Sequence, residues 1–304
     1  MAAIVSRQPA IDEPRSRTPG PRFPKGAESL DESHVTRALG ATIATPFGRS
    51  RLQAQETRVN DPQARGTALV TGGFRRIGAA IARRLALEGY ALAIHTSARS
   101  LPEASAFAAS LSADGAQAIA LACDLADPQA VLGLIPSAEQ ALGAVTVLVN
   151  NASIFEEDSA KAFDIGSFER HIAVNLRAPV QLASILADRL PPDREGCVVN
   201  VLDQRVWRLK PEFFSYTLSK AALWTATRTL AQTFAPRVRV NAVGPGPSLP
   251  NQSEGAEGFT REVDQSLLRR AAPPAEVAEA VAYLARATSV TGQMIAVDAG
   301  QHLT

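Results

Sequence analysis

Tyr216 and Lys220, in the stretch Ser215-Tyr216-Thr217-Leu218-Ser219-Lys220, carry the residue types and spacing for proton transfer. Side chains four residues apart share one face of a helix, so both can point into one pocket. An ammonium beside a phenol favours the phenolate and lowers the phenol's pKa. The pair therefore predicts a tyrosine that donates a proton to a carbonyl or imine under reduction. Any amphipathic helix can show this spacing by chance, so its meaning rests on the elements around it.

Those elements begin with a buried strand, Thr67-Ala68-Leu69-Val70, and the turn Thr71-Gly72-Gly73-Phe74-Arg75-Arg76-Ile77-Gly78. A helix is predicted from Ala79 to Glu88, with Gly89 as its stop. Strand, glycine turn and helix offer backbone N–H groups and a helix N-terminus to a pyrophosphate. Gly72, Ile77 and Gly78 are thus candidate cofactor contacts. The second strand, Ala91-Leu92-Ala93-Ile94-His95, selects between cofactors. A free ribose 2′-hydroxyl is usually met there by an acid, and none follows until Glu103. Ser97 and Arg99 stand there instead, with Arg75 and Arg76 in the first turn, and a 2′-phosphate needs such donors. The reading is NADPH, with Arg76 placed to reach over the pyrophosphate toward the substrate edge. Cys123-Asp124-Leu125 closes another apolar strand, where Asp124 and Leu125 are expected at the adenine edge.

Further stretches follow in a fixed order: Val147-Leu148-Val149-Asn150-Asn151-Ala152-Ser153, then Asn175 ahead of Leu176 and Pro179, then Val198-Val199-Asn200-Val201. Val240-Asn241-Ala242-Val243-Gly244-Pro245-Gly246 and Thr291-Gly292-Gln293-Met294-Ile295-Ala296-Val297-Asp298-Ala299-Gly300 complete the series. With Tyr216 and Lys220, this series resembles the short-chain dehydrogenase/reductase family over about residues 65 to 302. The chain departs from the family's pattern at Ser153 and at Ala299, where glycine is usual. The resemblance implies an α/β fold: a Rossmann-like, doubly wound parallel sheet in a single domain, residues 65–304. It implies cofactor contacts at Asn151, Ala152, Ser153, Pro245 and Gly246, as well as Tyr216 and Lys220. Lys220 would hold the nicotinamide ribose, and Asn175 would support a proton-relay water. It also implies a homotetramer.

Most members of that family carry Ser thirteen residues ahead of the catalytic Tyr; here the position is Asp203. A hydroxyl orients a carbonyl oxygen. A carboxyl can hold or relay a proton to a ring nitrogen and pair with N–H donors of a heterocycle. In a closed pocket its pKa is expected to rise. Asp203, Tyr216 and Lys220 together resemble the pteridine reductase and dihydromonapterin reductase branch. The basic first turn, His95 with Arg99 after the second strand, and Asn150-Asn151-Ala152-Ser153-Ile154-Phe155 match that branch by position. The resemblance implies that Phe155 stacks on a pterin, that Ser153 contacts pterin or cofactor, and that Arg76 contacts both. The implied reaction converts a dihydropterin to a tetrahydropterin, with Asp203 and Tyr216 serving protonation. Two alternatives stand beside it: a broad-range NADPH-dependent carbonyl reductase, and an NADPH-binding regulator without turnover. Intact Asp203, Tyr216 and Lys220 argue against the regulator. The segment Arg205–Phe214 borders the site without a clear match, and the Pro-rich loop Pro247–Gly255 falls in the family's lid region.

Composition bounds the remaining classes. A net charge of +1 gives no footprint for nucleic acid. Cys123 and Cys197 both fall in predicted strands, as small buried residues of a reducing cytoplasm do. No cysteine–histidine cluster has metal spacing, and no apolar run approaches the roughly 18 residues of a membrane span. Residues 1–64 are rich in Pro, Arg, Ser, Gly and Glu and show no period, so they are expected to be a disordered extension. Met1-Ala2-Ala3-Ile4-Val5 is too short for a signal peptide, and Asp12, Glu13, Glu28, Asp31 and Glu32 argue against an organelle transit peptide. A start annotated too far upstream is the other reading.

Overall fold

The computed structural model describes residues 65–250 and 255–304. The expectation for residues 1–64 lies outside them. Seven strands are present: β1 (Thr67–Thr71), β2 (Ala91–Thr96), β3 (Ala118–Ala122), β4 (Val145–Asn150), β5 (Gly196–Val201), β6 (Val238–Pro245) and β7 (Met294–Val297). They form one parallel sheet in the order β3-β2-β1-β4-β5-β6-β7. The helices between them are α1 (Arg76–Leu87), α2 (Leu101–Ala113), α3 (Pro128–Leu142), α4 (Ile165–Ile172), α5 (Ala178–Arg189), α6 (Phe214–Phe234), α7 (Gly255–Gln265) and α8 (Pro274–Arg286).

The strands are short apolar runs because both sheet faces are covered. Every residue of β1, β4 and β5 is buried. Successive side chains alternate between faces. Ala68, Val70, Val147, Val149 and Val199 pack against Ile81 and Leu85 of α1 and Val277 and Val281 of α8. Leu69, Leu148 and Val198 pack against Leu134 of α3, Leu182 of α5 and Ala231 of α6. The expected doubly wound sheet is what the chain forms.

Strand order reverses between β1 and β4, which opens a crevice beyond their C-terminal ends. Helix α6 lies beside β6, with Tyr216, Lys220, Leu223, Thr227 and Ala231 buried at intervals of three and four. That spacing is one helical face. The N-terminus of α6 is capped from another element: the Asp158 carboxylate accepts from the Ser215 backbone N–H at 3.0 Å and from the Ser215 hydroxyl. Two boundaries differ from the sequence reading. Helix α1 begins at Arg76, three residues before Ala79, because the extended Arg75 acts as its N-cap. Cys123 lies one residue past β3, not inside it.

Candidate active site

The turn after β1 is held from three sides. Gly72 has φ +61°, a left-handed backbone that favours glycine. A Cβ on Gly78 would stand 2.1 Å from the Gly72 carbonyl oxygen, so only glycine lets helix α1 approach so closely. The Asn151 side chain donates to the Thr71 and Gly72 carbonyls at 2.9 and 3.1 Å. The Thr71 hydroxyl accepts from the backbone N–H groups of Asn151 and Ala152, both at 3.0 Å. These bonds tie the ends of β1 and β4 into one frame.

A cleft of about 400 Å³ opens over this frame. It is lined by Gly72, Arg75, Arg76, Ile77, Gly78, His95, Ser97, Asp124, Leu125, Asn151, Ala152 and Ser153, twelve of the residues expected at the cofactor. Arg99 does not line it; it is exposed in the one-turn helix Ala98–Ser100 beyond β2. His95 is buried and has both ring nitrogens engaged. Nδ1 accepts from the Gly72 N–H at 3.2 Å, and Nε2 lies 3.0 Å from the Cys123 carbonyl. Burial lowers its pKa, so the ring is neutral and Nε2 carries the hydrogen. Its observed contacts position the glycine turn.

A second cleft of about 260 Å³ shares Arg76, Ile77, Asn151 and Ser153 with the first. It holds Phe155, Asp203, Tyr216, Lys220, Pro245 and Gly246. The Tyr216 hydroxyl donates to Asp203 Oδ2 at 2.9 Å, while Asp203 Oδ1 accepts from the Arg205 backbone N–H at 2.8 Å. Burial pushes the Asp203 carboxyl above its ordinary range. The Lys220 ammonium donates to the Val201 carbonyl at 2.7 Å, and burial pulls its pKa down to about 8.

One expectation is corrected here. The Tyr216 pKa is not lowered by Lys220. It is raised well above its ordinary value, first by burial and then by the charge of Asp203. Lys220 Nζ sits 5.7 Å from the centre of the Tyr216 ring and points its proton at a carbonyl. The phenol is therefore held neutral, with its proton in place.

Asn175 lies in a π-helical turn between α4 and α5, at 0% exposure. Its Oδ1 accepts from the Ile154 N–H at 3.0 Å and the Ser153 hydroxyl at 3.1 Å. Its Nδ2 donates to the Ile154 carbonyl at 3.0 Å and to Ser219 at 3.1 Å. The amide thus fastens the Ser153–Phe155 segment to α6. Phe155 stacks on Phe213, ring centres 4.1 Å apart, and meets Tyr216 edge-on at 4.7 Å. Arg76 has φ +51° and donates to the Leu249 and Pro250 carbonyls, tying the first turn to the lid region. Residues 251–254 of that loop lie outside the described ones.

Gln204, Glu262 and Gln301 were not anticipated, and Phe213 was anticipated only as part of the unmatched segment Arg205–Phe214 bordering the site. Phe213, at φ +55°, is the N-cap of α6 and lies beneath the Arg205 guanidinium. Gln204, Glu262 and Gln301 line the second cleft. The only signals in the sequence were Gln204's place next to Asp203 and Gln301's place after the closing Ala299-Gly300 stretch. No cluster of metal-ligating side chains occurs among the described residues.

Comparison with known proteins agrees with this geometry. A family model described as enoyl-(acyl carrier protein) reductase matches residues 73–302. FolM alternative dihydrofolate reductase 1 from Brucella canis, crystallised with NADP, is 50% identical, covering 78% of this chain and 94% of that one at a TM-score of 0.74. A blue fluorescent protein from a metagenomic library, in complex with NADPH, is 34% identical, covering 78% and 97% at a TM-score of 0.73. The 3-oxoacyl-(acyl-carrier-protein) reductase FabG of Staphylococcus epidermidis is 29% identical over 242 residues, 78% of this chain and 99% of its own length. A glycine turn under a parallel sheet of this order, with Tyr216 and Lys220 on one face of α6, is shared architecture, and the chain belongs to the short-chain dehydrogenase/reductase family.

Proposed function

We propose that this chain is an NADPH-dependent oxidoreductase that reduces a dihydropterin to a tetrahydropterin. The observation that carries the reading is the buried Asp203 carboxyl bonded to the Tyr216 hydroxyl inside the second cleft. A plain carbonyl reducer needs only hydroxyls there, whereas a ring nitrogen needs an acid that can hold a proton. The 50% identity to a protein named as a dihydrofolate reductase supports the same choice.

The first cleft fits a dinucleotide on its own chemistry: a glycine cradle that a Cβ at residue 78 would fill, a helix N-terminus, and the cations Arg75 and Arg76. NADPH, when bound, supplies the hydride. Tyr216 stays protonated at neutral pH and donates from Oη. Asp203 accepts that hydrogen bond and, because its pKa is raised, carries a proton toward the heterocycle more readily than an ordinary carboxylate. Lys220 supplies positive charge beside both. Phe155 and Phe213 give the cleft an aromatic side suited to a flat ring. We read Ser153, Arg76 and the buried Asn175 as groups that place substrate and cofactor. Ser97, Asp124 and Leu125 are read as rim contacts to the adenosine half, with Arg99 serving the 2′-phosphate from the exposed turn.

We also read the assembly as a homotetramer, a reading that rests on the family resemblance. The two buried free thiols are in keeping with a reducing cytoplasm. No helix of the described residues is long and apolar enough to cross a membrane.

A second reading, 3-oxoacyl or broad carbonyl reduction, is favoured by the similarity to FabG. Asp203→Ser separates the two. It restores the hydroxyl of carbonyl reducers and removes the acid. Dihydropterin reduction is expected to fall at least tenfold while a ketone is spared. A wild type that prefers the ketone, with an Asp203→Ser pterin rate unchanged, overturns the proposal.

A further inference from the structure

Arg205 is buried, at 6% exposure, although arginine is almost never so unless it is well paired. Its Nη2 meets the Glu262 carboxylate of α7 only at 3.9 Å, and Nη1 has no hydrogen-bond partner among the described residues. What lies against the guanidinium is a ring: its central carbon stands 5.1 Å from the centre of Phe213. A cation over an aromatic face is attracted by the ring's quadrupole, more so out of water. Phe213 is itself buried and stacks on Phe155, with ring planes 12° apart. Phe155 is the open end of this column, at 37% exposure, and lines the second cleft with Tyr216. The backbone holds the column as well. Phe213 has the left-handed φ of +55°, which a bulky residue adopts only under constraint. The next two residues are both tied to Asp158, whose carbonyl accepts from the Phe214 N–H at 3.3 Å and whose carboxylate accepts from the Ser215 N–H at 3.0 Å. At the other end, the Arg205 N–H is fixed on Asp203.

We propose that Arg205 is a positioning residue for the substrate ring, acting through Phe213 to hold Phe155 as a fixed flat face. Arg205 is not among the residues that line the cleft, so its effect on a bound ring passes through the two phenylalanines. A face already in place binds a flat heterocycle without the cost of ordering a loose side chain. A residue that served only to join α7 to the turn after Asp203 would act through Glu262, and removing Phe155 would not cancel its effect. The inference rests on the dihydropterin reading and deepens it: the wall that meets the ring is set from outside the cleft.

The test uses the full chain. It reads the Kd of biopterin, the oxidised ring, by fluorescence titration with NADP⁺ present, and KM and kcat for 7,8-dihydrobiopterin with NADPH. Arg205→Met keeps the stem and removes the charge. It is expected to raise Kd and KM by about 3- to 30-fold, the scale of a desolvated cation over a ring, and to leave kcat within about threefold. Arg205→Lys puts a cation back and is expected to recover part of that loss. In the double variant of Arg205→Met with Phe155→Ala, Kd is expected within about twofold of Phe155→Ala alone, because groups that act through one another are not additive. Losses that multiply in the double variant, no recovery by Arg205→Lys, or an unchanged Kd in Arg205→Met each overturn the role and leave the pterin reading standing. If Arg205→Met fails to fold, Arg205→Gln, planar and uncharged, is measured with the same expectation. A fold lost in both makes Arg205 structural and overturns the proposal too. A wild type that binds no biopterin and consumes only an acetoacetyl thioester overturns both readings.

Discussion

Removing the Tyr216 hydroxyl and the Asp203 carboxyl, singly and together, probes the core of the proposed chemistry. The two are joined by one hydrogen bond of 2.9 Å in a buried cleft. A bond between a hydroxyl and a charged group contributes about 1.5–3 kcal/mol, which is roughly a 10- to 150-fold effect. Loss of the proton donor itself costs about 10²–10⁴-fold. Tyr216→Phe is therefore expected to lower kcat for a dihydropterin by about 10²–10⁴-fold and to leave NADPH affinity nearly intact. Asp203→Asn keeps the shape and an acceptor for Tyr216 but cannot carry the proton, so it is expected to lose at least tenfold. The double variant is expected to fall within about threefold of Tyr216→Phe, because residues that act as a unit are not additive. The assay is steady-state NADPH oxidation with folding checked by circular dichroism. Losses that multiply in the double variant, or a Tyr216→Phe enzyme with the wild-type rate, would refute the shared proton path.

Three other outcomes follow from the same geometry. Arg99→Ala is expected to weaken NADPH more than NADH, and because Arg99 is exposed the effect should shrink as salt is raised in the same KM measurement. Gly78→Ala forces a Cβ to 2.1 Å from the Gly72 carbonyl, so it is expected to lower stability by about 1–3 kcal/mol and to lose NADPH binding, read by thermal melting and cofactor titration. Lys220 has a pKa of about 8, below its ordinary value, so its ammonium is lost above about pH 8 and the KM for NADPH is expected to rise there. For the same reason the unfolded chain binds the extra proton between about pH 8 and Lys220's ordinary pKa of about 10.5, so its contribution to stability is least favourable below pH 8 and recovers through that window. Lys220→Met is expected to flatten the pH dependence of KM.

Much of the site was legible because its spacings are local or its strands carry their own pattern. Tyr216 and Lys220 sit on one helical face, as four-residue spacing requires. The glycine turn after β1 and the strand end at Asn150, just before Asn151, could be located from apolar runs that stop at polar residues. What was not legible depends on contacts between distant segments. Nothing near His95 announces that its ring would be spent on Gly72 and Cys123. The stack of Phe155 on Phe213 and the meeting of Gln204 with Gln301 are likewise tertiary events. The direction of the Tyr216 shift was misjudged because spacing shows that Lys220 is near but not how deeply the phenol is buried, nor that Asp203 would stand closer. Arg99 was placed correctly after β2, but its exposure could not be read from a run of small polar residues.

The most direct measurement of the central claim is a side-by-side kcat/KM for 7,8-dihydrobiopterin and an acetoacetyl thioester, with NADPH and the full chain. The account predicts that the dihydropterin wins by at least about a hundredfold, the scale at which two buried polar groups discriminate. A higher kcat/KM for the thioester would contradict it, and would return Asp203 to the role of an orienting group in a carbonyl reductase.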